Sequence, residues 1–202
     1  MKKELTYFNI EDHYGGSQNW FIDPMMKLGG CAAVTACDLC VYLNILKNSE
    51  HLYPFDVSAL TKADYIKFSH IMKPYLRPRM TGINTLQLYI DGFGKYLEDV
   101  NDKEIKMTAF SGDNSLVDGE KVIINQINKD IPIPFLLLKH KNSQLKELVW
   151  HWFLIVGYEK TDNELSIKIA TYGGYNWISI KELWNTGYEE KGGMIIIEMY
   201  PS

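Results

Sequence analysis

Gly29-Gly30-Cys31-Ala32-Ala33-Val34-Thr35-Ala36-Cys37-Asp38-Leu39-Cys40-Val41 is the stretch on which the reading of the fold turns. Ala33, Cys37 and Cys40-Val41 recur at three- and four-residue steps, and the pattern runs on to Ile45, which is the period of a helix. Two glycines precede it and Lys47-Asn48-Ser49 reads as its end, so Cys31 falls in the first turn of a buried helix. Working outward, a second helix is expected over 61–73, where Thr61 and Asp64 resemble a capping pair and Pro74 stops the chain. A third is expected over 84–100, with Leu86, Ile90, Phe93 and Leu97 on one stripe.

The second half changes period. After a strand near 105–109 and a helix around 120–128, runs rich in branched and aromatic residues appear at 133–139, 150–159, 165–172, 177–180 and 194–200. Turn clusters such as Lys141-Asn142-Ser143, Thr161-Asp162-Asn163 and Gly173-Gly174 separate them. Connections this short make hairpins, whereas parallel strands need a long crossover, so the sheet is expected to be antiparallel. Helices first and a sheet second define an α+β fold. No linker divides the 202 residues, and a single domain over 1–202 is expected.

Composition narrows the function. A chain that is 46% hydrophobic and 23% charged buries enough apolar surface to offset its ordering entropy. A net charge of -4 gives no attraction to phosphate backbones, which argues against a nucleic-acid partner. Three cysteines cannot all pair within the chain, and no apolar core follows Lys2-Lys3, so a reducing, cytoplasmic setting is expected. The longest apolar stretches, such as 152–156, are far too short to span a bilayer, so no membrane span is expected.

Two residues carry the chemistry. A thiol in the first turn of a helix sits among unpaired N–H groups at the positive end of the dipole, and both favour the thiolate. The bland alternative, a small buried residue, fits Cys31 equally well on position alone. His151 tips the balance. It opens the apolar strand Trp150-His151-Trp152-Phe153-Leu154-Ile155-Val156-Gly157-Tyr158, where a histidine must be hydrogen-bonded, exposed at the strand end or functional. It follows Cys31 by about 120 residues, the chain order of enzymes that pair a helix-borne thiolate with an imidazole on a sheet.

With those residues in view, the sequence resembles the papain-like cysteine peptidases, especially a divergent bacterial branch similar to the double-glycine leader peptidases. Gly30-Cys31-Ala32-Ala33 is similar to the nucleophile helix, with Ala32 where the family usually has glycine. His151 and the strand to Gly157-Tyr158 resemble the histidine strand. Gln18-Asn19-Trp20 lies upstream of the cysteine, where the family places its oxyanion glutamine. The likeness runs from about Gln18 to Trp177. It implies a papain-like fold, a Cys31–His151 dyad, Gln18 as oxyanion donor and a peptide or small amide as substrate, with no cofactor. The family's orienting Asn or Asp is missing. The corresponding run reads Ala170-Thr171-Tyr172-Gly173, in which Thr171 is the residue able to accept from the imidazole, Asn176 lies past the turn, and Tyr172 matches an aromatic that shields the dyad.

Hydrolysis of a peptide or amide through a thioester is therefore the leading expectation. Acyl transfer on the same dyad, or a non-catalytic binding protein that keeps the fold, stands beside it. Cys37 and Cys40, about 60° apart on a helix, suit zinc or redox chemistry but equally a small-residue packing stripe; no second ligand pair accompanies them, so no metal is expected. The paired glycines read as turns and not as a phosphate loop.

Overall fold

The structure, a computed structural model, describes residues 1–47, 51–78, 82–162 and 164–200. Asn48 and Ser49 of the expected helix end and Asn163 of the expected turn lie outside the described residues. The elements follow in the order β1 (Lys2–Glu4), β2 (Asn9–Ile10), β3 (His13–Tyr14), α1 (Pro24–Gly29), α2 (Cys31–Lys47), α3 (Lys62–Met72), α4 (Leu86–Asp99), β4 (Ile105–Ser111), α5 (Leu116–Asn128), β5 (Ile133–Leu137), β6 (His151–Lys160), β7 (Leu165–Thr171), β8 (Gly174–Ser179), α6 (Ile180–Trp184) and β9 (Gly193–Met199). This is a mixed helix and antiparallel-sheet fold.

Every residue of α2 from Cys31 to Asn44 is buried. A helix buried on all sides must be central, and α2 packs on β6 on one side and α3 on another. The expected capping at Thr61 is present: its side chain accepts from the Asp64 N–H at 3.1 Å. At α5 the helix begins at Leu116, earlier than its apolar period suggests. Ser115 is the reason, since its hydroxyl accepts from the Asp118 N–H at 3.1 Å and starts the helix ahead of the first buried side chain.

Among the described residues seven strands form one sheet in the order β4-β9-β5-β6-β7-β8, with β1 also pairing β6. β6 is the spine. It pairs with β7 on one side, and on the other with β5 up to Ile155 and with β1 from Gly157. A register shift between Ile155 and Gly157 marks the changeover. Sequence reading missed β1, β2, β3 and α1, because strands of two or three residues and a six-residue helix leave no readable period. Among the described residues no helix is long and apolar enough to cross a membrane.

Candidate functional site

Cys31 is the first residue of α2. Asp23 caps α1 by accepting from the Met25 and Met26 N–H groups, and α1 then leads into α2 through Gly30. No side chain fits at that junction, because a Cβ on Gly30 would lie 2.2 Å from the Met26 carbonyl oxygen. Cys31 is 8% exposed. Burial pushes its thiol above the ordinary cysteine range, against the opposing pull of the backbone N–H groups of Trp152, Ala32 and Cys31 itself. The thiolate expected from the helix start is thus offset by desolvation. Trp152 is the residue after His151, so its N–H facing the sulfur brings the two chain segments together.

His151 is 4% exposed, and its Nε2 lies 2.7 Å from Thr171 Oγ1. The register explains the match. Leu154 pairs with Ala170, so Thr171 stands level with Phe153 and shares its face with His151, while Ala170 shares the opposite face with Leu154. Asn176 is on β8, where it pairs with Ile169 away from the imidazole. Tyr172, at φ 53°, turns the chain and lays its ring on His151 at 4.4 Å between centroids and 6° between planes.

The Tyr172 hydroxyl is 3.3 Å from His151 Nδ1. Because the rings are parallel, that oxygen sits above the imidazole plane and off the axis of the in-plane lone pair. In the tautomer whose Nε2–H donates to Thr171, Nδ1 keeps a lone pair for a proton. Burial pushes the His151 pKa down to about 4. Thiol and imidazole are thus both driven toward their neutral forms, and among the described residues no hydrogen bond joins them.

Gln18 is buried in a short 3₁₀ turn, and its amide nitrogen donates to the carbonyls of Lys27 at 3.0 Å and Leu28 at 3.4 Å. It is tied to the end of α1, directly ahead of Cys31. Trp150, at φ 56° and half exposed, precedes His151. Cys37 and Cys40 are fully buried in the core. Among the described residues no group of three or more His, Cys, Asp or Glu side chains is placed to hold a metal ion. Sequence reading overlooked the Trp152 N–H, whose direction depends on strand pairing, and Asp38, which looks like one polar residue in an apolar helix.

No family model matches the chain, and no curated protein matches it. Among solved structures, the crystal structure of the Pseudomonas avirulence protein AvrPphB is similar at a TM-score of 0.36 and 10% identity, over 95% of this chain and 99% of that one. That likeness is too slight to assign a fold.

Proposed function

We propose that the chain is a papain-like cysteine hydrolase acting on a peptide or small amide, with Cys31 as nucleophile and His151 as base. The observation that supports this reading is the 2.7 Å contact between His151 Nε2 and Thr171 Oγ1, which orients an imidazole one residue ahead of the Trp152 N–H that meets the Cys31 sulfur. In the proposed reaction the Cys31 sulfur attacks the substrate carbonyl carbon as its proton passes to His151 Nδ1. The imidazolium then protonates the leaving amine, the C–N bond breaks and a thioester remains. Water attacks the thioester as it gives a proton to Nδ1, the C–S bond breaks, the leaving sulfur takes that proton back, and the acid is released.

Burial holds the resting pair neutral, so His151 acts as a general base during attack instead of stabilising a preformed ion pair. The Cys31 N–H and the Gln18 amide are the proposed oxyanion donors, and Gln18 would supply the hydrogen now in its longer bond to Leu28. Thr171 carries no charge to stabilise imidazolium, which implies slow turnover.

The burial of both groups also favours a second reading, a binding protein that keeps the fold without turnover. An electrophilic peptide probe, a peptidyl acyloxymethyl ketone, separates the two. Mass gain at Cys31 that is lost in His151→Ala supports the hydrolase; no adduct in the folded wild type overturns it.

A further inference from the structure

The helix that carries the thiol also carries a buried carboxylate that the reaction does not use. Asp38 lies two turns after Cys31 on the same face of α2 and is 4% exposed. Its partners are all neutral donors. The Tyr65 hydroxyl donates to Oδ1 at 2.6 Å, the Tyr7 hydroxyl donates to Oδ2 at 2.9 Å, and the Gly16 N–H reaches both oxygens at 3.0 and 3.1 Å. Among the described residues no cation pairs with it. Burial raises its pKa to about 6, against the lowering by Tyr65, Gly16 and Tyr7. An unpaired buried carboxylate is costly, and an asparagine would turn an NH₂ group toward groups that now donate, so what the carboxylate holds depends on its two acceptor oxygens.

What it holds leads back to the site. The Gly16 carbonyl accepts from the Gly173 N–H at 2.9 Å, and the Gly173 carbonyl accepts from the Tyr14 N–H at 3.0 Å. The residue after Tyr172 is therefore fixed at both its amide and its carbonyl. Toward the other end, Gly16 leads through Ser17 to Gln18. The approach admits no side chain: a Cβ would sit 2.7 Å from Asp38 Oδ2 at Gly15 and 2.0 Å from the Tyr65 hydroxyl at Gly16.

We propose that Asp38 is a positioning residue of the site: its carboxylate clamps the 15–18 loop to α2 and, through the Gly16 carbonyl, holds the turn whose Tyr172 ring covers His151. One residue on the nucleophile helix thereby sets both the cover over the imidazole and the approach of Gln18. This inference rests on the reading of Cys31 and His151 as a dyad, but its test reads ring titration and thiol access, and turnover does not enter it.

The full chain carrying Asp38→Asn is compared with wild type while both are folded by far-UV circular dichroism. Uncovering His151 should move its NMR titration midpoint from about 4 toward the ordinary histidine value. Iodoacetamide labelling of Cys31 at pH 8 should speed up by about tenfold or more, the scale of losing a hydrogen bond to a charged acceptor. A lower melting temperature with both readouts unchanged would mean that Asp38 serves stability alone, and would overturn the proposal. If Asp38→Asn does not fold, Tyr7→Phe takes its place, since it removes one donor and keeps the ring stacked 4.8 Å from Tyr14. A rise in labelling of about threefold then supports the clamp, and an unchanged rate overturns it. Failure of the hydrolase reading would appear separately, as absence of probe adduct or turnover with these readouts intact.

Discussion

Thr171 Oγ1 stands 2.7 Å from His151 Nε2, on the face of the sheet that His151 shares with Phe153. A neutral hydroxyl occupies the position where a carboxamide or carboxylate would orient an imidazole. Thr171→Val keeps the shape and removes the acceptor, so kcat for any substrate found should fall by about tenfold to a hundredfold. Thr171→Asp places a negative charge at the same point and should raise the His151 pKa above its present value of about 4. An NMR titration of the ring checks the second; an unmoved midpoint would show that Thr171 is not its partner in solution.

The buried thiol should not behave as a preformed thiolate. Because burial raises its pKa, iodoacetamide labelling of Cys31 in wild type should be slow at pH 6 and should climb without a plateau through pH 9. Peptide mapping against pH tests this. A fast plateau near pH 6 that disappears in His151→Ala would establish an ion pair and reverse the neutral assignment.

Two buried groups should act on stability with opposite signs. His151 has a folded pKa of about 4 against 6.5, so the stability it permits is present above pH 6.5 and is lost as pH falls through 4, by about 3 kcal/mol at full extent. Asp38 has a folded pKa of about 6 against 3.8, so its contribution is present below pH 3.8 and is lost as pH rises through 6. Denaturant titrations at pH 4, 5, 6 and 7 should show His151→Gln gaining stability relative to wild type on acidification and Asp38→Asn losing it. Parallel curves for all three proteins would contradict both assignments.

Gln18 has one proposed task and one observed tie, and the two separate kinetically. As an oxyanion donor it acts when charge develops, so Gln18→Ala should lower kcat about a hundredfold with KM little changed. As the tie to the Lys27 and Leu28 carbonyls it should also contribute about 1 kcal/mol of stability. A variant that melts lower yet keeps full turnover would leave Gln18 only the second role.

The activity profile follows from the same shifts. With His151 a free base above about pH 4, kcat/KM should fall on acidification through that pH and stay level through neutrality. Initial rates from pH 3.5 to 8 would show it. An acid limb near 6.5 would indicate a solvated imidazole, which the Tyr172 cover excludes.

The sequence by itself determined the elements with enough length to repeat a period. It gave α2 with Cys31 at its start, α3 with its Thr61 cap, α4 with its apolar stripe, and the strand that begins at His151. It also left Thr171 as the residue able to meet the imidazole, because Ala170 has nothing to offer. Only the tertiary structure decided that Thr171 faces His151, since a shift of one residue in strand register moves a side chain to the other face and nothing local sets that register. It also decided how far Cys31 and His151 are desolvated. A helix start favours thiolate whatever surrounds it, but desolvation depends on what folding closes over the sulfur, and the Trp152 N–H that opposes it arrives from far along the chain. Asp38 shows the same division: its helical position is plain in the sequence, while its three donors come from Tyr7, Gly16 and Tyr65, which only folding brings to one carboxylate.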